Sequence, residues 1–304
     1  MTRVLMPFPA DAALAGTISP LLQARVSPVA WRHFPDGESL VTLDDALAGA
    51  DVALLASLRN ADATALPLRF AARTAREFGA RSVGLIAPYL GYMRQDTRFH
   101  RGEAVSAPLF AQFLEEAFDW LVTVDPHLHR VERLQSLYRI PTVHVSATPA
   151  VARWIAETVP DAVLIGPDSE SEQWVADIAA LSGMPYQVLA KERHGDYDVR
   201  VSLPDPAAVA GRTPVLIDDI VSSGHTILET LAHLRRLSLP SPLLVAIHPV
   251  FAGDAYARLQ EAGLARIVST DTISHPSNAI ALGADLAAAA STLMTASTDS
   301  PEDP

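Results

Sequence analysis

Strand-length apolar runs recur along the chain and alternate with segments whose apolar residues return every three to four positions. "TRVLM", "DVALLASL", "SVGLIAPYL", "WLVTVD", "TVHVS", "AVLIGP", "YQVLA", "DVRVSL", "PVLIDD", "PLLVAIHPV" and "RIVST" have the length and branched-aliphatic content of strands. "LPLRFAARTAREFG", "SAPLFAQFLEEAF", "TPAVARWIAETV", "SEQWVADIAALSG" and "TILETLAHLRRL" have helical period. Continuous apolar strands alternating with helices predict an α/β protein whose parallel sheets are covered on both faces. So many strands suit two α/β domains better than one. The expected boundary is "SATPA", residues 146–150, where a strand ends and a small-residue turn opens a helix. The expected division is therefore 1–147, 148–290 and a polar tail from 291. The last stretch of that tail, "TASTDSPEDP", has the composition of a disordered segment. No internal repeat strong enough to prove duplication stands out. In such folds ligands bind at the carboxyl ends of strands, so the loops there carry the chemistry.

Composition narrows the choices. The chain of 304 residues carries a net charge of -12, which argues against a general nucleic-acid or anionic-membrane surface. A polyphosphate would need a local basic cluster or a metal ion. The absence of cysteine excludes disulfides, zinc-thiolate sites and thiol chemistry, and fits a reducing cytoplasm. "MTRVLMPFPADAALAG" has no convincing signal pattern and no apolar run is long enough to span a bilayer, so a cytoplasmic location is expected. Of 23 basic residues, Lys191 is the only lysine. A bias towards arginine reflects genome composition, and against it the surviving lysine marks a position where a compact ammonium on a flexible stem is useful.

The most informative loop is "VLIDDIVSSGHTI", Val215 to Ile227. Asp218 and Asp219 stand where a strand ends. Ser222, Ser223, Gly224, His225 and Thr226 then offer amides and hydroxyls at the start of a helix, a nest suited to a phosphate dianion. Carboxylates cannot hold that phosphate, but they accept charge-assisted hydrogen bonds from paired sugar hydroxyls attached to it. A sugar with vicinal hydroxyls and a terminal phosphate is ribose 5-phosphate. The plain alternative is an ordinary βα turn with an aspartate near the helix N-cap. In "MRQDTRFHR", Arg94, Arg98, His100 and Arg101 gather positive charge in an acidic protein. Arg94 and Gln95 suit a nucleotide's phosphates or base, while Arg98 and Arg101 read equally well as a solvated loop. In "FPDGE", an aromatic face and two carboxylates suit adenine or ribose, with a surface turn at Gly37 as the alternative. His127 follows a strand end and an aspartate, where it serves as a metal ligand, a phosphate donor or a structural hydrogen-bonder. His129 competes with it.

"VLIDDIVSSGHTI" resembles the phosphoribosyl diphosphate (PRPP) loop of type I phosphoribosyltransferase folds. Other segments resemble ribose-phosphate diphosphokinases, the PRPP synthetases: "FPDGESLV", "APYLGYMRQDTRFHRGEAVSAPLFAQFLEE", "VTVDPHLHR", "LIGPDSE", "LAKER" and "VSTDTISH". These lie in order from residue 34 to about 275 and cover nearly the whole chain. Two departures stand out. The family usually has glycine or a small residue where this chain has His225, and glycines where it has Ser169, Glu170 and Ser171 after Asp168.

The resemblance implies two tandem phosphoribosyltransferase-like domains, each a mainly parallel sheet flanked by helices. It implies ATP bound by Phe34, Asp36, Glu38, Arg94, Gln95, Asp96 and His127. Ribose 5-phosphate falls to Asp168, Asp218, Asp219 and the turn Ser222, Ser223, Gly224, His225 and Thr226. Magnesium is the implied cofactor, with His127 and Asp168 as protein contacts. Lys191 and Arg193 fall on the catalytic flexible region, followed by the polar "HGDYD". The family's F-x-D-G-E element reaches across from a neighbouring subunit, so a homo-oligomer with its active site near an interface is expected. The implied activity is transfer of the diphosphoryl group of ATP to ribose 5-phosphate. One alternative is a phosphoribosyltransferase using PRPP and a nucleobase, which leaves "FPDGE", "RQD" and the second domain unused. Another is a non-catalytic regulatory relative, against which the retained Lys191, Arg193, His127, Asp168, Asp218 and Asp219 argue.

Overall fold

The computed structural model describes residues 2–296 other than 45, 99, 129–132, 190, 194–198, 202–208 and 237–239. For 191–193, 199–201, 236, 295 and 296 it describes the backbone alone. The first part of the chain forms β1 (Arg3–Pro7), α1 (Ala12–Leu22), β2 (Arg25–Val26), β3 (Ala30–His33), β4 (Ser39–Thr42), β5 (Asp51–Leu55), α2 (Ala61–Glu77), β6 (Ser82–Ala87), α3 (Ser106–Glu115), β7 (Trp120–Val124) and β8 (Thr142–Val145). The second part forms α4 (Thr148–Thr158), β9 (Ala162–Gly166), α5 (Glu172–Ser182), β10 (Tyr186–Val188), β11 (Lys191–Arg193), β12 (Val199–Val201), β13 (Thr213–Ile220), α6 (His225–Arg236), β14 (Leu243–His248), α7 (Ala255–Glu261), β15 (Arg266–Thr270), β16 (Asn278–Ile280) and α8 (Gly283–Ala296).

Two six-stranded parallel sheets result, ordered β2-β1-β5-β6-β7-β8 and β10-β9-β13-β14-β15-β16. Counted within its own sheet, each runs 2-1-3-4-5-6, and between its second and third strands each inserts an antiparallel hairpin, β3–β4 or β11–β12. The two sheets thus share one strand order, which no repeat in the sequence announces. The central strands β1, β5, β6, β7, β9 and β14 are buried along nearly all their length because helices cover both faces. In the first unit Val4, Met6, Val52, Leu54, Val83 and Leu85 face α2 and α3, whose alanines, leucines and Phe110 complete one core. The alternate residues Leu5, Ala53 and Ile86 are equally buried. β6 carries Gly84 in its centre because the Trp120 ring of β7 lies across it. A Cβ there would stand 1.8 Å from the ring, so only glycine fits.

Two compact units emerge, the first containing the chain up to Val145 with 272–274 and the chain from Leu282, the second containing 146–271 with 275–281. The second domain was expected to run to residue 290. Instead α8 joins the first unit, packing on α1 and across β6, β7 and β8. Its small residues allow close approach: a Cβ on Gly283 would come within 2.7 Å of the Thr17 side chain. Arg3 Nη1 also donates to Ser291 Oγ at 3.2 Å. Part of the expected tail is therefore helix, and residues 297–304 lie outside those described. α1 escaped the sequence reading because Gly16 and Pro20 interrupt its pattern. Leu14, Ala15, Ile18 and Leu22 still form one buried face.

Candidate active site at the carboxyl edge of the second sheet

In an open sheet ordered 2-1-3-4-5-6, the connections leave the first and third strands in opposite directions, opening a crevice beyond their carboxyl ends. In the second unit those strands are β9 and β13, which pair in parallel register. Asp168 follows β9, and Asp218 and Asp219 lie near the carboxyl end of β13. Three acids predicted as ligands thus come together at the switch point. Asp218 is held well above the usual carboxylate range, first by burial and then by the charges of Asp219 and Asp168. That crowding is unfavourable in the protein alone, and it is relieved by groups that donate to carboxylates, such as sugar hydroxyls, or by a cation.

Asp168 is also a structural cap. Its Oδ1 accepts from the amides of Glu170 at 3.2 Å and Ser171 at 3.3 Å, while Ser171 Oγ donates to the Asp168 carbonyl at 2.6 Å. Ser169, Glu170 and Ser171 therefore form a capped turn leading into α5. Asp219 Oδ1 accepts from the Ile220 amide at 2.7 Å, which ties that carboxylate to the strand.

Ser222, Ser223, Gly224, His225 and Thr226 form the turn from β13 into α6. The helix starts at His225, and Leu228 N–H donates to the Gly224 carbonyl at 2.9 Å. Amides of a first helical turn have no carbonyl one turn back to bond, so they suit an anion. Gly224 is needed twice over: its φ is +71°, and a Cβ would meet Leu259 of α7 at 3.1 Å. His225 is exposed, and its Nε2 lies 3.1 Å from Glu229 one turn along the helix.

β11 pairs with β12, Lys191 opposite Val201 and Arg193 opposite Val199, so both predicted cations lie on extended backbone. Residues 194–198, which contain the "HGDYD" predicted to form a mobile cover, lie outside those described.

The nucleotide-side predictions fall in the first unit. Phe34, Asp36 and Glu38 occupy the exposed tip of the β3–β4 hairpin. The Phe34 amide donates to the Glu38 carbonyl at 2.7 Å, and Asp36 Oδ1 accepts from the Glu38 amide at 3.2 Å. Arg32 lies over the Phe34 ring, 5.0 Å from its centroid. Arg94, Gln95 and Asp96 follow β6. Gln95 is fixed on the start of α3, its Oε1 accepting from Ser106 Oγ at 2.7 Å and its carbonyl from the Ala107 amide at 3.1 Å. His127 is half-buried beyond β7, and His129 lies outside the described residues.

Sequence reasoning missed the Asp125–His144 pair beside His127. Asp125 is buried, with a φ of +29° and Oδ1 2.6 Å from His144 Nε2. Positive φ in a non-glycine residue marks a turn imposed by its surroundings. Asp125 was visible only as the aspartate before His127, and nothing in "TVHVS" singles out His144.

Among the described residues no three histidine, aspartate or glutamate side chains gather closely enough to hold a metal ion alone. Magnesium usually keeps several waters and takes one or two carboxylates together with substrate phosphates. A single carboxylate such as Asp168 beside phosphate oxygens fits that requirement.

Comparison with known proteins agrees with this geometry. A family model described as the N-terminal domain of ribose phosphate pyrophosphokinase matches residues 4–117, and a phosphoribosyl transferase domain model matches 145–283. The ribose-phosphate pyrophosphokinase of Methanopyrus kandleri is 32% identical over 274 residues, covering 90% of this chain and 93% of that protein. That of Methanothermobacter thermautotrophicus is 32% identical over 265 residues, 87% of this chain and 91% of the relative. The crystal structure of phosphoribosylpyrophosphate synthetase from Mycobacterium smegmatis superimposes with a TM-score of 0.83 at 25% identity, covering 99% of this chain and all of that one.

Proposed function

Because the chain belongs to the ribose-phosphate pyrophosphokinase family, we propose that it transfers the β,γ-diphosphoryl group of ATP to the 1-hydroxyl of ribose 5-phosphate. The products are PRPP and AMP. The observation that carries the reading is the convergence of Asp168, Asp218 and Asp219 beside a glycine-bearing turn at the switch point of the second sheet. Such a site holds a sugar phosphate by both ends.

The ribose hydroxyls donate to Asp218 and Asp219, which removes the cost of crowding the acids, and the 5-phosphate lies on the turn Ser222–Thr226. The 1-hydroxyl oxygen attacks the β-phosphorus of ATP. The bridging bond from that phosphorus to the α-phosphate oxygen breaks, AMP leaves with the electron pair, and the hydroxyl proton passes to solvent. Lys191 and Arg193 stabilise the negative charge that grows on bridging and peripheral oxygens. Phe34 stacks on adenine, Asp36 and Glu38 accept from the nucleoside, and Arg94, Gln95, Asp96 and His127 hold the phosphate end. Asp168 and His127 are the residues that would hold magnesium, which would supply neutralisation of phosphate charge. The exposure of the Phe34 hairpin supports its use by a neighbouring copy, hence a homo-oligomer, and the enzyme is assigned to the cytoplasm with its substrates.

The test is AMP release from ATP and ribose 5-phosphate, with and without magnesium. The expected result is stoichiometric AMP and PRPP dependent on both substrates and the metal. If AMP is absent while PRPP and a nucleobase react, the reading is wrong.

A further inference from the structure

The turn proposed to take the 5-phosphate does not stand by itself. Its first residues are tied to the loop after β14 by three backbone hydrogen bonds. Val221 N–H donates to the His248 carbonyl at 3.2 Å, Phe251 N–H to the Val221 carbonyl at 2.8 Å, and Ala252 N–H to the Ser222 carbonyl at 3.0 Å. To make them, Phe251 adopts a φ of +37°, unusual for an aromatic residue, so something must hold it there.

Two rings supply that hold. Phe251 is 3% exposed and packs against Tyr256 of α7 at 5.1 Å and His275 at 4.8 Å, and the latter two meet edge-on at 4.5 Å. His275 is itself fastened to the end of β15. Its amide donates to Asn278 Oδ1 at 2.8 Å, and its Nδ1 lies 2.8 Å from Ser277 Oγ. Asn278 Nδ2 in turn donates to Ser269 Oγ at 3.0 Å and the Thr270 carbonyl at 2.5 Å. One turn beyond Tyr256 on the same helix face, Leu259 lies under Gly224. Helix α7 therefore supports both ends of the turn, Tyr256 through Phe251 and Leu259 directly.

We infer that Tyr256 and His275 are positioning residues for the sugar phosphate: they brace Phe251, whose loop fixes the carbonyl edge of the Val221–Ser222 turn. The inference rests on the reading of that turn as the 5-phosphate site. Neither side chain needs to touch the substrate.

The experiment is steady-state kinetics of the full-length Tyr256→Ala, Tyr256→Phe and His275→Ala enzymes, varying each substrate separately. Losing one ring contact is expected to raise KM for ribose 5-phosphate roughly three- to tenfold. KM for ATP and kcat should remain within about twofold of wild type, and Tyr256→Phe, which keeps the ring, should restore the wild-type KM. Amide exchange at Phe251 and Ala252 should accelerate in both alanine variants. A merely structural role would lower kcat through loss of folded enzyme without separating the two KM values. Unchanged KM for ribose 5-phosphate, or parallel loss for both substrates, overturns the inference even though the wild-type enzyme releases AMP. Failure of the wild type itself to release AMP overturns the underlying reading, and the inference with it.

Discussion

At the junction of its first and third strands, the first unit holds Asp11 and Ser57, while at the same junction the second holds Asp168, Asp218 and Asp219. The two sheets have one strand order and one hairpin insertion, so the junctions are topological counterparts. They are finished differently. Asp11 is 4% exposed, and its Oδ2 accepts from the Ser57 amide at 3.0 Å. Ser57 Oγ donates to the Thr272 carbonyl at 2.8 Å. That crevice is closed by the protein's own groups. In the second unit the acids crowd one another beside a turn of amides and hydroxyls. The lesson is that the switch point offers a site in both copies, and local side chains decide whether it is filled internally or kept for a ligand. The hairpins repeat the pattern: β3–β4 carries the proposed adenine platform and β11–β12 the proposed catalytic cations, at equivalent positions in the two folds.

The comparison is tested most severely through the cations. Lys191→Ala should cut kcat by about a hundredfold to a thousandfold, the loss typical of one preplaced donor to developing charge. Phe34→Ala in the counterpart hairpin should instead raise KM for ATP. Equal kinetic signatures from the two hairpins would break the division of labour, and indifference of AMP release to Lys191→Ala would favour a regulatory relative.

The acids come next. Asp218→Asn should lower kcat/KM for ribose 5-phosphate by about a hundredfold, since two charge-assisted hydrogen bonds weaken together. The same change should stabilise the substrate-free protein. A carboxyl held above its ordinary value contributes stability that is complete below about 3.8 and lost as pH rises through the raised value. At neutral pH the asparagine variant should therefore melt at a higher temperature than wild type, and saturating ribose 5-phosphate should narrow the gap. A lower melting temperature at neutral pH would contradict the crowding argument.

Gly224→Ala should raise KM for ribose 5-phosphate about tenfold. The residue would have to keep positive φ while displacing Leu259 by a few tenths of an ångström. An alanine enzyme with wild-type KM would show that the turn does not bear on the phosphate.

At the closed junction the expected effect falls on stability and not on kinetics. Burial pushes Asp11 up to about 6, outweighing the Ser57 hydrogen bond that favours its ionised form. Its stabilising contribution is full below about 3.8 and falls as pH rises through about 6, a change on the order of 3 kcal/mol at neutral pH. Asp11→Asn should flatten the pH dependence of thermal stability in that window and leave KM for ribose 5-phosphate unchanged. Substrate should not alter the slope in wild type at this site, in contrast to Asp218.

Much of the architecture was legible. Val215–Ile217, Leu244–Ile247 and Val52–Leu55 are apolar without alternation because helices bury both faces of their sheets, and that pattern survives in one dimension. The Asp218–Asp219 pair and the turn after it were legible for the same reason: all of their parts are consecutive. The strands β2, β3, β4 and β16 were not, being short or half-exposed, and α8 was hidden by a run of alanines with little polar contrast. Nor was the Asp125–His144 pair, whose members lie 19 residues apart, one just after β7 and the other on the neighbouring β8.

The order of residues by itself determined the fold class, the acid pair and the turn, because each depends on neighbours within a few positions along the chain. Only tertiary structure decided that the two sheets share one strand order, that α8 belongs with the first and that Asp125 pairs with His144. It alone put Phe251, Tyr256 and His275 behind the turn. Those facts depend on which distant segments share a sheet edge or a core, and the free energy of burial that selects them is a property of the packed molecule, with no mark at any single position.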